Sequence, residues 1–128
     1  MSNKPHTSTA RILLADDDPQ IVKLFSAKLT EAGYAVEAAR TGTETLSALR
    51  SSRYNLLILD LNIPEQDGFD VLKMVRVEMP YLRVLVISGY LQGALLNAAQ
   101  WLDAVGTLEK TAAPAQLVPT VRRILGDD

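Results

Sequence analysis

The chain contains no cysteine, which excludes disulfides, a thiol nucleophile and a thiolate zinc site. Its one histidine, His6, falls in the polar opening stretch MSNKPHTST, so the body of the sequence offers no imidazole base and no phosphorelay histidine. That stretch also lacks the apolar segment of a signal peptide. No apolar run approaches the roughly 20 residues of a membrane span. The 13 basic residues, set against 15 acidic ones, are scattered, and Arg122-Arg123 is their only adjacent pair. With a net charge of −2, no basic stripe and no helix-turn-helix segment, the chain is not expected to bind nucleic acid or a membrane directly. No internal repeat, low-complexity tract or interdomain linker appears. The expectation is a soluble cytoplasmic protein with a disordered tail over 1–9 and one domain over 10–128, large enough to bury a core without staples.

What is present is a regular alternation. Short apolar runs recur as RILLA (11–15), YAVEAA (34–39), NLLILD (55–60), RVLVIS (83–88) and VGTLE (105–109). Between them the apolar residues take helical spacing. In the first such segment Ile21, Leu24, Phe25 and Leu29 share a stripe, Asp18 suits the N-cap, Pro19 the first turn and Gly33 the end. The second opens on Thr41-Gly-Thr-Glu44, a capping-box pattern. The third spans about 69–78, the fourth about 92–102, and the fifth starts near Pro114. Pro119 falls inside this last pattern and is expected to kink or delay the helix. Five strands alternating with five helices predict an α/β fold: a doubly wound (βα)5 sandwich around a parallel five-stranded sheet. The first, third and fourth strands are the most continuously apolar and belong at the centre, while the second belongs at an edge. The flavodoxin-like order 2-1-3-4-5 fits.

That topology gathers chemistry at one rim. Ligands of doubly wound sheets bind beyond the carboxyl ends of the strands, where the strand order switches. The first strand ends in Asp16 and Asp17, the third in Asp60, the fourth in Ser88, and the fifth runs into Lys110. Two like charges about 4 Å apart cost about 4 kcal/mol at an effective dielectric near 20. A raised pKa, a cation or both must offset that. Mg2+ prefers oxygen ligands and needs few from the protein. Carboxylates, a divalent cation and an ammonium together suit phosphoryl transfer to an aspartate. Taken singly these residues are weak evidence: Asp18 is a helix cap, and Asp60 alone could be a turn residue. Their joint placement at successive strand ends carries the reading.

With these residues in place, the sequence resembles the receiver domain of two-component response regulators, from about Arg11 to Leu125. The resemblance rests on ILLADDD at the first strand, LLILDLNIPEQDG at 56–68, VLVISG at 84–89 and Lys110 after the fifth strand. It implies that Asp60 accepts a phosphoryl group, and that Asp16, Asp17, Asp60 and the backbone carbonyl of Asn62 hold Mg2+. Lys110 would bind the phosphoryl group and Ser88 would hydrogen-bond it, drawing its loop inward. Pro64 and Gly68 would shape the loop after the third strand. The donor would be a histidine kinase or a histidine phosphotransfer protein. The output would be an unknown protein met on the face of the fourth helix, fifth strand and fifth helix. The chain would be a signalling phosphoacceptor that assists its own phosphorylation and dephosphorylation, not an enzyme.

Two positions depart from the family pattern. Thr107 stands where an aromatic switch residue is usual, and Thr111 stands where proline usually follows the lysine. The Lys110–Thr111 peptide is then either trans in a reshaped loop or a strained cis bond, which costs about 2.5–4 kcal/mol before a non-proline residue. These departures sustain an alternative, a phosphate-independent interaction module of the same fold. A third reading, an aspartyl-nucleophile phosphohydrolase, needs a second acid two residues beyond Asp60, where the chain has Asn62. Tyr90, beside Ser88, is expected either to shield the acyl phosphate from water or to have no kinetic role. Trp101, the only tryptophan, is read as either a partner contact or a packing residue.

Overall fold

The computed structural model describes residues 9–63, 68–89 and 104–127. Pro64, Tyr90, Trp101, the fourth helical segment and all but Thr9 of the expected tail lie outside them. The elements are β1 (Arg11–Ala15), α1 (Pro19–Glu31), β2 (Ala35–Ala39), α2 (Gly42–Ser51), β3 (Leu56–Asp60), α3 (Gly68–Glu78), β4 (Arg83–Ser88), β5 (Gly106–Glu109) and α4 (Ala113–Leu125). The strands form one parallel sheet in the order β2-β1-β3-β4-β5.

Strand composition decides this order. Every residue of β3 is buried, as is all of β1 and β4 except their opening arginines. A strand covered on both faces must be apolar at successive positions. β2, with its alanines and Glu37, buries only Ala39 fully and takes an edge. Alternate residues feed two cores. Leu13, Leu57, Leu59, Val84 and Val86 pack against the inner faces of α2 and α3. Ile12, Leu14, Leu56, Ile58, Leu85 and Ile87 pack against α1 and α4, around the fully buried Phe25. Each such side chain contributes about 1.5–3 kcal/mol of burial, which fixes the register.

Local signals set the helix ends. Asp18 caps α1, its Oδ1 accepting from Gln20 N at 2.9 Å. Gly33 closes the exit at φ 103°, a conformation that favours glycine. Thr41 Oγ1 accepts from Glu44 N at 3.0 Å, but Glu44 returns its bond to Arg40 N at 2.9 Å, one residue before the cap. The expected delay at Pro119 does not occur. α4 begins at Ala113 and runs unbroken to Leu125 with Pro119 inside it. Pro119 and Ala115, the residue whose carbonyl would have accepted the missing N–H, are both exposed. Water can therefore satisfy that carbonyl.

Candidate functional site

The backbone ladder carries each candidate residue past the end of its strand. Asp16 N donates to Ala39 O at 3.0 Å, Leu61 N to Ile87 O at 3.2 Å, and Lys110 N to Ser88 O at 2.8 Å. The sheet thereby brings Asp16, Asp60, Ser88 and Lys110 to one rim. Asp16, Asp60 and Ser88 are no more than 1% exposed, whereas Asp17 is exposed. One carboxylate oxygen from each of Asp16, Asp17 and Asp60 lies within 4.8 Å of the others.

The two buried acids are oriented alike. Asp16 Oδ1 accepts from Asp18 N at 2.9 Å, and Asp60 Oδ1 accepts from Asn62 N at 3.0 Å. These are local turns from a short acidic side chain to the backbone two residues on. Sequence reasoning gave Asp18 only its capping role and missed this backbone donor. The signal was the Asp-x-Asp and Asp-x-Asn spacing. Each turn leaves Oδ2 for other partners. Lys110 Nζ donates to Asp60 Oδ2 at 3.0 Å and stands 3.1 Å from Asp16 Oδ2. The contact with Asp16 is an ion pair without hydrogen-bond alignment, so this fully buried oxygen has no hydrogen-bond partner.

Burial pushes the Asp16 carboxyl above its ordinary range and the Asp60 charge adds to that, while the Asp18 N–H and Lys110 pull the other way. For Lys110, burial favours the neutral amine. The hydrogen bond to Asp60 and the contact with Asp16 outweigh it and raise the ammonium's pKa. A buried acid clustered with two others, with an oxygen lacking a hydrogen bond, fits a hard divalent cation. All the donors are oxygen, as Mg2+ prefers. The protein's own ammonium supplies one positive charge against three carboxylates.

Asn62 sits just past β3, exposed, two residues from Asp60. Gly68 starts α3 where a Cβ would come within 2.5 Å of Leu61 Cα, so only glycine lets the helix meet the strand end this closely. Thr107 is half-buried and pairs with Val86, on the same sheet face as Ser88. No peptide bond among the described residues is cis, so Lys110–Thr111 is trans. The turn into α4 is closed by Ala112 N donating to Glu109 O at 3.0 Å.

Residues 12–122 match the family model described as the response regulator receiver domain. The alginate biosynthesis transcriptional regulatory protein AlgB of Pseudomonas aeruginosa is 34% identical over 107 residues, covering 84% of this chain and 24% of its own. The chain thus spans about a quarter of the length of that relative. The chemotaxis response regulator CheY4 of Vibrio cholerae superposes with a TM-score of 0.86 at 30% identity, covering 92% of this chain and 100% of that one. The response regulator TrrA of Thermotoga maritima, solved in complex with Mg2+–BeF, gives a TM-score of 0.83 at 28% identity, covering 91% and 100%.

Proposed function

This chain belongs to the response regulator receiver domain family of two-component systems, and from that premise we propose that Asp60 is its phosphoacceptor. The observation that carries the proposal is Lys110 Nζ, 3.0 Å from Asp60 Oδ2 and 3.1 Å from Asp16 Oδ2, at the rim of three clustered carboxylates. A histidine kinase or histidine phosphotransfer protein is the proposed donor. An Asp60 oxygen attacks phosphorus; the O–P bond forms, the N–P bond to the donor histidine breaks, and the departing imidazole nitrogen takes a proton. Asp16, Asp17, Asp60 and the Asn62 carbonyl are the residues that would hold Mg2+. The ion would supply charge neutralisation for the transferring phosphoryl group.

The protein's own groups do the rest. Asn62 N and Asp18 N keep the Oδ1 atoms engaged and so aim the Oδ2 atoms at the rim. Lys110 exchanges a carboxylate oxygen for a phosphoryl oxygen. Ser88, at the end of β4, donates its hydroxyl to another, and the resulting movement carries the signal to a protein-binding surface. Thr107 gives that surface a small polar residue and favours an output that does not use a moving ring. The reading covers a signalling domain over 10–128, not an enzyme.

The test is intact mass after incubation with Mg2+ and acetyl phosphate, with Asp60→Asn as control. One phosphoryl adduct, dependent on Mg2+ and absent from the control, is expected. No adduct with this donor or with a panel of histidine kinases would favour the phosphate-independent module, the reading that Thr107 and Thr111 sustain.

A further inference from the structure

At the opposite end of the sheet, where the strands begin, the chain forms a cleft of about 880 Å3 beside the C-terminal ends of α2 and α3. Sites for small molecules commonly have about 300–1,000 Å3. The lining carries Arg11, Arg50 and Arg53; Glu37 pairs with Arg11 and Glu78 with Arg50, which leaves Arg53 as the excess cation.

Two of the arginines are already oriented. Arg50 gives Nε and one terminal nitrogen to the two oxygens of Glu78, at 2.9 and 2.7 Å. Arg11 donates to Glu37 at 2.6 Å and stacks 4.8 Å above the Tyr54 ring. A guanidinium carries five N–H donors in one plane, so each keeps donors that these partners do not take. Arg53 is exposed and has no side-chain partner among the described residues. Tyr81, 83% exposed, contributes an uncovered ring to the same cleft, and the buried side chains of Leu49 and Leu82 contribute an apolar floor. The helix C-termini nearby disfavour anions, but that field fades within the last turn, whereas guanidinium donors make direct charge-assisted bonds.

We propose that this cleft binds a small aromatic oxyanion, with Arg53 as the principal cation, Arg11 and Arg50 as oriented donors, and Tyr81 as the surface on which the ring stacks. The site is separate from the acidic rim and needs none of its residues.

The test is an NMR titration of amide shifts in the full chain, with adenosine monophosphate as probe. Saturable shifts are expected at residues 51–55 and at Met79, Tyr81 and Leu82, which line the cleft. They should persist in Asp60→Asn, weaken about tenfold in Arg53→Ala, and weaken severalfold in Tyr81→Ala. Both substituted side chains are exposed, so the fold should survive either change. Adenosine or inorganic phosphate alone should bind more weakly than the monophosphate. The proposal is overturned by shifts confined to the acidic rim, by no saturation at millimolar probe, or by equal affinity in Arg53→Ala. A glutamate-rich peptide that shifts the same amides at lower concentration would overturn the ligand class and assign the cleft to a protein partner.

Discussion

Asp16 and Asp60, on neighbouring strands, hold their carboxylates in the same way. Each accepts a backbone N–H from two residues on at Oδ1, and each presents Oδ2 to Lys110. The ammonium therefore occupies the charge-neutralising position between two acids before any other cation arrives.

Competition between cations follows. Lys110→Ala should bind Mg2+ about tenfold more tightly, because an ammonium 3.0 and 3.1 Å from the Asp60 and Asp16 Oδ2 atoms opposes a second cation there even through a screened medium. The same variant should take up phosphate more slowly from acetyl phosphate. Calorimetric titration with Mg2+ checks the first effect; unchanged affinity would show that Lys110 does not compete.

Asp16 should cost stability when no metal is present. Its pKa is raised chiefly by burial, with Asp60 adding to it. A raised folded-state pKa means stability that is complete below the unfolded value, near 4, and lost as pH rises through the folded value. Asp16→Asn keeps the acceptor for Asp18 N and removes the charge. It should be more stable than the parent at neutral pH without Mg2+, converge with it below about pH 4, and gain little from added Mg2+. The parent should gain about 2.7 kcal/mol at one hundred times its dissociation constant. Urea unfolding at several pH values measures each of these.

Gly68→Ala should damage both fold and site. The added Cβ would lie 2.5 to 2.8 Å from the Leu61 backbone, so the strand end or the helix must move. A loss of about 1–3 kcal/mol is expected, together with weaker Mg2+ binding, since Leu61 lies between Asp60 and Asn62. Full affinity with reduced stability would separate the helix contact from the metal ligands.

Tyr34 ties the turn after α1 to the end of the chain. Its hydroxyl donates to Asp127 Oδ2 at 2.9 Å, across 93 positions. Burial first, then this carboxylate, push the phenol up to about 12. The ordinary value is about 10, so the contribution is complete below pH 10 and is lost as pH rises through about 12. Tyr34→Phe should lose about 1 kcal/mol at pH 7 and lack the extra alkaline slope. Parallel slopes for the two proteins would refute the linkage.

The strand order and the acidic rim were legible because they depend on local composition. Unbroken apolar runs such as LLIL mark central strands, and whatever follows them lands at the carboxyl ends. The cap at Asp18 and the exit at Gly33 were legible for the same reason. Pro119 does not delay the helix because the cost of a missing N–H depends on which side of the helix its acceptor faces, and periodicity does not weigh solvent access to one carbonyl. The pairings Arg50–Glu78, Arg11–Glu37 and Tyr34–Asp127 were not legible. Each joins residues far apart in sequence through long side chains that the backbone pattern does not orient.

The two halves of the rim are anchored unequally. Asp16 and Asp60 end strands that have neighbours on both sides, whereas Lys110 follows a four-residue strand with a neighbour on one side only. The acids are part of the core, so changing their positions would mean rebuilding it. The lysine hangs from a margin, where substitutions between Gly106 and Glu109 would shift its ammonium relative to the two acids at smaller cost to folding. The fold thus fixes the positions of the buried acids more firmly than that of their ammonium partner.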